Sequence, residues 1–192
     1  MSDIQYQQLT PDHFDRLLAL ANHVHGDNYL DMPSLQKLYN AGLKNDLNAS
    51  WVALDDDRLV GFRLTLAAGN WQPDKWCSPS LWPVPRQEVC YFKCNTVDAS
   101  YRAAGIGSKM LKLSVGEAAK QGAKAGLAHI WMASPGNSAF KYFSKCGGKL
   151  VKEHPGKWQE NCINDGYVCP VCGTECDCVA AEMILQFEQA NG

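Results

Sequence analysis

Between Glu88 and Gly126 the chain changes its hydrophobic period twice, and this constrains the fold more than any other stretch. The run EVCYFKCNTV, Glu88–Val97, is apolar and aromatic with strand-like alternation. It is followed by the turn Arg102-Ala-Ala-Gly-Ile-Gly, and then by Ile106, Met110 and Leu113 at helical spacing up to Gly122. A strand that bends through two glycines into a helix leaves backbone N–H groups without intrahelical partners, at the end where the macrodipole is positive. Glycine also permits φ > 0 and the close approach of a ligand. The turn therefore reads as an anion site, most often for phosphate, with Arg102 adding a charge-assisted donor. The dinucleotide fingerprint is excluded because Met110 stands where its third glycine belongs. The triphosphate loop is excluded because Gly107 is followed by Ser108-Lys109 rather than Lys-Ser. An ordinary ligand-free turn stays open at this point.

The rest of the chain supplies the frame. Ile4–Gln8 alternates like a strand, and Thr10-Pro11 is a helix-entry signature leading to Phe14, Leu17, Leu18 and Ala21. His25–Pro33 breaks that helix, and Leu35, Leu38 and Leu43 suggest a second. Two strand-like runs flank Asp55-Asp56-Asp57 as a hairpin, and Gly69–Gln87 is a long tryptophan- and proline-rich loop. Leu127–Ala133 reads as a strand and Ser138–Lys145 as a short helix. Lys149–Glu153 and Val179–Phe187 read as the last two strands. The order is strand, two helices, three strands, helix, strand, helix, two strands, a mixed α/β (α+β) chain rather than a doubly wound one.

Asn-Thr-Val-Asp followed by Tyr-Arg-x-x-Gly-Ile-Gly resembles the acetyl-coenzyme A motif of the GNAT superfamily of N-acetyltransferases, with Arg102, Gly105 and Gly107 at its fixed positions. Asn137 and Tyr142, in the short helix before Gly147-Gly148, match a second family signature. The resemblance implies a mostly antiparallel twisted sheet with a central splayed parallel pair and helices on both faces. It implies one acetyltransferase domain over 1–192, with a Cys-rich insertion at about 154–178. Acetyl-CoA would set its pyrophosphate on Arg102, Ala103, Ala104, Gly105, Ile106, Gly107 and Ser108. Its pantetheine arm would lie near Cys94–Val97, so that Thr96 and Val97 face it, as well as near Ile130–Ala133, and Asn137 would help hold it.

The implied reaction is direct transfer of acetyl to a primary amine in a ternary complex. An amine of pKa ~10.4 is protonated at neutral pH and must first lose a proton. Fixed N–H donors stabilise the oxyanion. A tyrosine suits protonation of the departing thiolate, of conjugate pKa ~8.5. Tyr142 is the implied acid; as a plain alternative it is a core aromatic beside Phe140 and Phe143. Family members often carry a Glu as base where this chain has Tyr91. Glu88 is the nearest carboxylate but lies on the other strand parity, and His23, His25, Asp27 and Tyr29 are alternatives, so the base is left open. Cys90 and Cys94 read as packing thiols on one strand face with Phe92, and no His-paired nucleophile is evident.

Nine cysteines, an odd number without a secretory leader, argue for reduced thiols. Four of them form CPVCGTECDC: Cys169, Cys172, Cys176 and Cys178 have the shape of a compact zinc knuckle, with Cys162 or His154 as substitutes. Metal-free thiols, a redox pair and a disulfide remain alternatives. Lys+Arg 18 against Asp+Glu 20 with no basic run disfavours nucleic acid. No apolar run approaches membrane-spanning length, so the expectation is a cytoplasmic protein, monomer or homodimer, with a small-molecule or peptide amine as partner. A non-catalytic acyl-CoA-binding or zinc-knuckle interaction module on the same fold is the competing reading.

Overall fold

The fold is described from a computed structural model covering residues 3–188. Strand β1 (Gln5–Gln8) is followed by α1 (Phe14–His25), entered through a capping box in which Thr10 and His13 satisfy one another. Helix α2 (Met32–Gly42) starts at Asp31, whose carboxylate accepts from the Ser34 N–H at 2.8 Å. A two-residue hairpin, β2 (Leu43–Lys44) and β3 (Leu47–Asn48), leads to β4 (Trp51–Asp55) and β5 (Arg58–Leu66). Then come β6 (Val89–Val97), α3 (Ile106–Lys120), β7 (Ala125–Trp131), α4 (Ser138–Lys145) and β8 (Lys149–Pro155). A short α5 (Gln159–Asn164) and β9 (Val179–Gln186) close the described chain. The β2–β3 hairpin and α5 are additions to the element order legible in the sequence.

Seven strands form one sheet in the order β1-β4-β5-β6-β7-β9-β8. Every neighbouring pair is antiparallel except β6 and β7, which run parallel. That pair is joined only from Val89↔Ala125 to Tyr91↔Leu127; beyond Tyr91 the strands pair elsewhere and separate. The sheet thus has the splayed parallel centre expected of it.

A bulge sits at the same point. Leu64 pairs with Cys94 but Thr65 with Phe92, so Lys93 is an extra residue in β6. The extra residue reverses the side-chain alternation. Cys90 and Phe92 pack with α3 and α4, whereas Cys94 packs with Phe14, Leu17, Leu35 and Phe62 beneath α1 and α2. The expectation that Cys90, Phe92 and Cys94 share one face is therefore corrected, because simple alternation does not survive a bulge. Helices α1 and α2 cover one half of that face. Gly69–Gln87 covers the other, seating Trp82 with Val89, Ala125, Leu127 and Ile184. Buried Glu182 on β9 ties the loop down, accepting from Ser78 N–H and Trp82 Nε1–H, each at 2.8 Å.

Candidate active site

The turn before α3 is held from both sides. Arg58 meets Asp98 at 2.8 Å, Asp98 accepts from the Ser100 N–H at 2.9 Å, and Tyr101 donates to Asp55 at 2.5 Å. Ala103 (φ 65°) and Gly105 (φ 78°) adopt left-handed backbone, and Gly105 caps the helix. The first helical bond runs from Lys109 N–H to Gly105 carbonyl at 3.0 Å. Among the described residues, no protein acceptor takes the N–H groups of Ala103, Ala104, Gly105, Ile106, Gly107 or Ser108. Six consecutive donors at a helix start form a concentrated anion site. A Cβ on Gly105 would meet nothing within 4 Å, so the space over the turn is open.

Behind the turn lies a second layer. A Cβ on Gly107 would come within 3.3 Å of Asn95 Nδ2 and 3.8 Å of the Tyr142 ring, so α3, β6 and α4 meet there. Tyr142 hydroxyl donates to Gly107 carbonyl at 2.9 Å and accepts from Arg63 at 3.0 Å. Arg63 is 2% exposed, has no carboxylate partner among the described residues, and lies over the Phe92 ring. Burial raises the Tyr142 pKa and the Arg63 charge opposes it. The Oδ1 atoms of Asn95 and Asn137 are buried without a hydrogen-bond partner, two acceptors open to a ligand's donors.

The opposite face of the splay is built from side chains. Tyr91 hydroxyl lies 2.9 Å from His129 Nδ1, and His129 Nε2 lies 2.6 Å from Trp76 carbonyl. A carbonyl only accepts, so Nε2 carries the ring proton and Nδ1 accepts from Tyr91. Burial, with Lys157 next, brings His129 down to about 4, so it is neutral at neutral pH. Burial raises Tyr91. Both groups line a cavity of about 230 Å³ with Trp71, Asp74, Cys77 and Lys157. Trp71 stacks on Tyr91 at 4.9 Å between ring centroids, so the tryptophan loop walls this cavity as well as packing on the sheet.

Next to it, Tyr29 donates to Cys94 Sγ at 3.1 Å and Thr96 Oγ1 lies 3.3 Å from the same sulfur. His25 Nε2 is 2.7 Å from Thr96 Oγ1 and 3.8 Å from Cys94 Sγ. Burial pushes the Cys94 thiol up, but His25, Thr96 and Tyr29 outweigh it and bring it down to about 7. A histidine-paired thiol is thus present after all. The bulge conceals it from any reading by alternation.

Of the sequence candidates, Arg102 through Ser108 form the turn, and Thr96 and Val97 end β6 beside it. Asn137 caps α4, and Tyr142 reaches α3 from there. Glu88 lies apart. It precedes β6 in a 3-10 turn, bound to Lys124 at 2.7 Å, at the end of the strand remote from the splay. His154 pairs with Glu182 at 2.8 Å and so is withdrawn from the cysteine cluster. Cys169, Cys172, Cys176 and Cys178 bring their sulfurs within 4.8 Å of one another. The Tyr91–His129 pair escaped the sequence reading, because contact between them depends on the register of two strands.

The sequence model of the acetyltransferase (GNAT) family matches residues 14–147. Solved structures repeat the whole fold at low identity. An N-acetyltransferase from Staphylococcus aureus Mu50 is 17% identical with a TM-score of 0.68, over 97% of this chain and 100% of that one. Arabidopsis thaliana Naa50, in complex with the bisubstrate analogue CoA-Ac-MVNAL, is 16% identical with a TM-score of 0.64, over 96% and 99%. Salmonella typhimurium yncA with its cofactor acetyl-CoA is 14% identical with a TM-score of 0.68, over 98% and 96%. No curated protein matches the sequence.

Proposed function

The chain belongs to the acetyltransferase (GNAT) family and is an acyltransferase, and from that premise we propose that it moves acetyl from acetyl-CoA to a primary amine by direct attack. The observation that carries this reading is the row of six unpartnered N–H groups, Ala103–Ser108, beside a parallel strand pair that separates after Tyr91. A diphosphate suits the row, and an extended arm suits the gap. Arg102 adds charge at the entrance, Thr96 and Val97 flank the gap, and Asn137 offers a carboxamide to the arm's amides.

The residues of the splay supply the proton steps. Tyr91 hydroxyl and His129 Nδ1, the neutral ring oriented by Trp76 carbonyl, form the path along which the ammonium proton leaves for solvent in the cavity, with no lasting charge on His129. Beyond Tyr91 the facing edges of β6 and β7 no longer pair with each other, and N–H groups along that opening stabilise the oxyanion. Tyr142 protonates the departing thiolate, and Arg63 supports the phenolate that results. The cavity beyond Tyr91 takes the acceptor, an amine carried by a small molecule or a peptide. A peptide acceptor is in keeping with Naa50, solved with an analogue whose name includes a peptide.

The test is a panel of small amines and peptide N-termini with acetyl-CoA, followed by thiol release and by mass. At least one acceptor gains an acetyl group, and Tyr142→Phe lowers its rate. Tight coenzyme A binding with no acceptor ever acetylated would favour the non-catalytic module instead.

A further inference from the structure

We propose that Cys169, Cys172, Cys176 and Cys178 hold one zinc ion, and that the ion fixes Tyr167 and Val168 as a wall of the acceptor side. The four Sγ atoms lie within 4.8 Å of one another, with Cys169–Cys178 at 3.9 Å and Cys172–Cys178 at 3.2 Å. Tetrahedral zinc with bonds of ~2.3 Å spaces its sulfurs ~3.8 Å apart. The backbone is shaped to match. Cys169 N–H donates to Gly173 carbonyl at 2.9 Å and Gly173 N–H returns the bond at 2.8 Å, closing a knuckle around Cys-x-x-Cys. Gly173 takes φ 73°, which the bend requires.

Three of the four thiols are buried, and Trp131, Ala133, Trp158 and Tyr167 pack around them. Between α5 and β9 the only strand-type pairing among the described residues is the Cys169–Gly173 bridge. Four sulfurs and no open position make a closed structural site, which supplies the order that hydrogen bonding leaves out. Cys162 is buried nearby, but its sulfur lies 3.8 Å from Gly173 carbonyl and outside the four-sulfur set.

The clamp reaches the α1–α2 connection directly, beside the Cys94 cluster. Gly26, ending α1 at φ 103°, lies so close to Val168 that a Cβ there would stand 2.5 Å from its carbonyl oxygen. Asn28 Nδ2 donates to Gly166 carbonyl at 3.4 Å, and the Tyr167 ring lies 6.1 Å from Tyr29, the residue that donates to Cys94. Lys157 meets Asp74, and Lys75 meets Glu160, so the start of α5, whose Trp158 packs on the cysteines, is bound to the tryptophan loop. One ion therefore fastens three walls: the α1–α2 connection, the end of β7 and the tryptophan loop. That it shapes acceptor binding in particular rests on the acetyl-transfer reading.

Elemental analysis of the full chain is expected to give one zinc per molecule, kept by Cys162→Ser and lost by Cys176→Ser. Cobalt exchanged into the native protein is expected to show sulfur-to-cobalt charge-transfer bands with tetrahedral d–d bands. A metal-free native chain with all four thiols open to a thiol reagent, or joined by a Cys172–Cys178 disulfide, would overturn the site. Hydrogen exchange reads the wall without reference to activity. Zinc removal is expected to speed exchange at residues 26–30 as well as at 165–178, and acceleration confined to the second segment would refute the wall. Kinetically, zinc loss is expected to raise the acceptor KM about tenfold or more while acetyl-CoA affinity stays within twofold. A zinc-loaded chain with the expected exchange pattern that acetylates nothing would uphold the clamp and sink the acetyl-transfer reading alone.

Discussion

The two faces of β6 are built on different principles. On the α3 face the anion seat is main chain: six free N–H groups, fixed by left-handed residues at Ala103 and Gly105, with the Tyr142–Arg63 pair in the layer behind them. On the α1–α2 face it is side chain: Tyr91 on His129, and Cys94 among His25, Tyr29 and Thr96. Backbone donors recognise whatever carries phosphate and do not titrate. Paired side chains hold and move protons, and they make that face sensitive to pH. On the proposed acetyl-transfer reading, the difference means that binding of the carrier and chemistry on the acceptor can be altered separately, although only one strand lies between them.

Four experiments would break or sharpen that contrast. Tyr91→Phe removes the hydroxyl proposed to relay the proton, and kcat is expected to fall about 10²–10⁴-fold with acetyl-CoA affinity unchanged by calorimetry. An equal loss on both counts would mean that the two faces are not separable.

Acid should then unsettle the side-chain face before the other. Burial lowers His129 from 6.5 to about 4, so its stabilising contribution is complete above pH 6.5 and is lost as pH falls towards 4. Wild type is expected to lose about 3 kcal/mol over that window beyond what His129→Gln loses, measured by urea melts at stepped pH.

Gly105→Ala acts on the other face. It strains a residue held at φ 78° and places a methyl group over the N–H row. Acetyl-CoA affinity is expected to drop about tenfold, near the worth of one hydrogen bond to a charged group (~1.5–3 kcal/mol), while the pH dependence of stability stays as in wild type.

The smallest effect is spectroscopic. The Cys94 thiol, at about 7, should give a thiolate absorbance step near neutrality, and His25→Gln should move that step upward. A step indifferent to His25 would detach the histidine from the thiol.

The same contrast governs what the sequence makes legible. The α3 face depends on local features, with Arg102, Gly105 and Gly107 within six residues, and glycine spacing writes them directly into the chain. The element order and the splayed centre follow from hydrophobic periods together with the family resemblance. The other face depends on relations that no window contains. Tyr91 and His129 are 38 residues apart, and Cys94 and His25 are 69 apart. The bulge at Lys93 is silent in the alternation of β6, so alternation alone puts Cys94 on the wrong side. Glu88 illustrates the converse: a carboxylate near the right position in sequence is engaged by Lys124 at the far end of the strand. The cysteine knuckle was legible because its spacing is short, whereas its contacts with Gly26 and Tyr29 were not.

The central claim is that main chain before α3 carries the diphosphate of acetyl-CoA, and amide NMR on the nitrogen-15-labelled full chain tests it most directly. Acetyl-CoA is expected to move the amide resonances of Ala103–Ser108, and S-acetylpantetheine, which lacks the diphosphate, is expected to leave them in place while moving those of Thr96 and Val97. Resonances of Ala103–Ser108 that stay fixed under saturating acetyl-CoA would contradict the account.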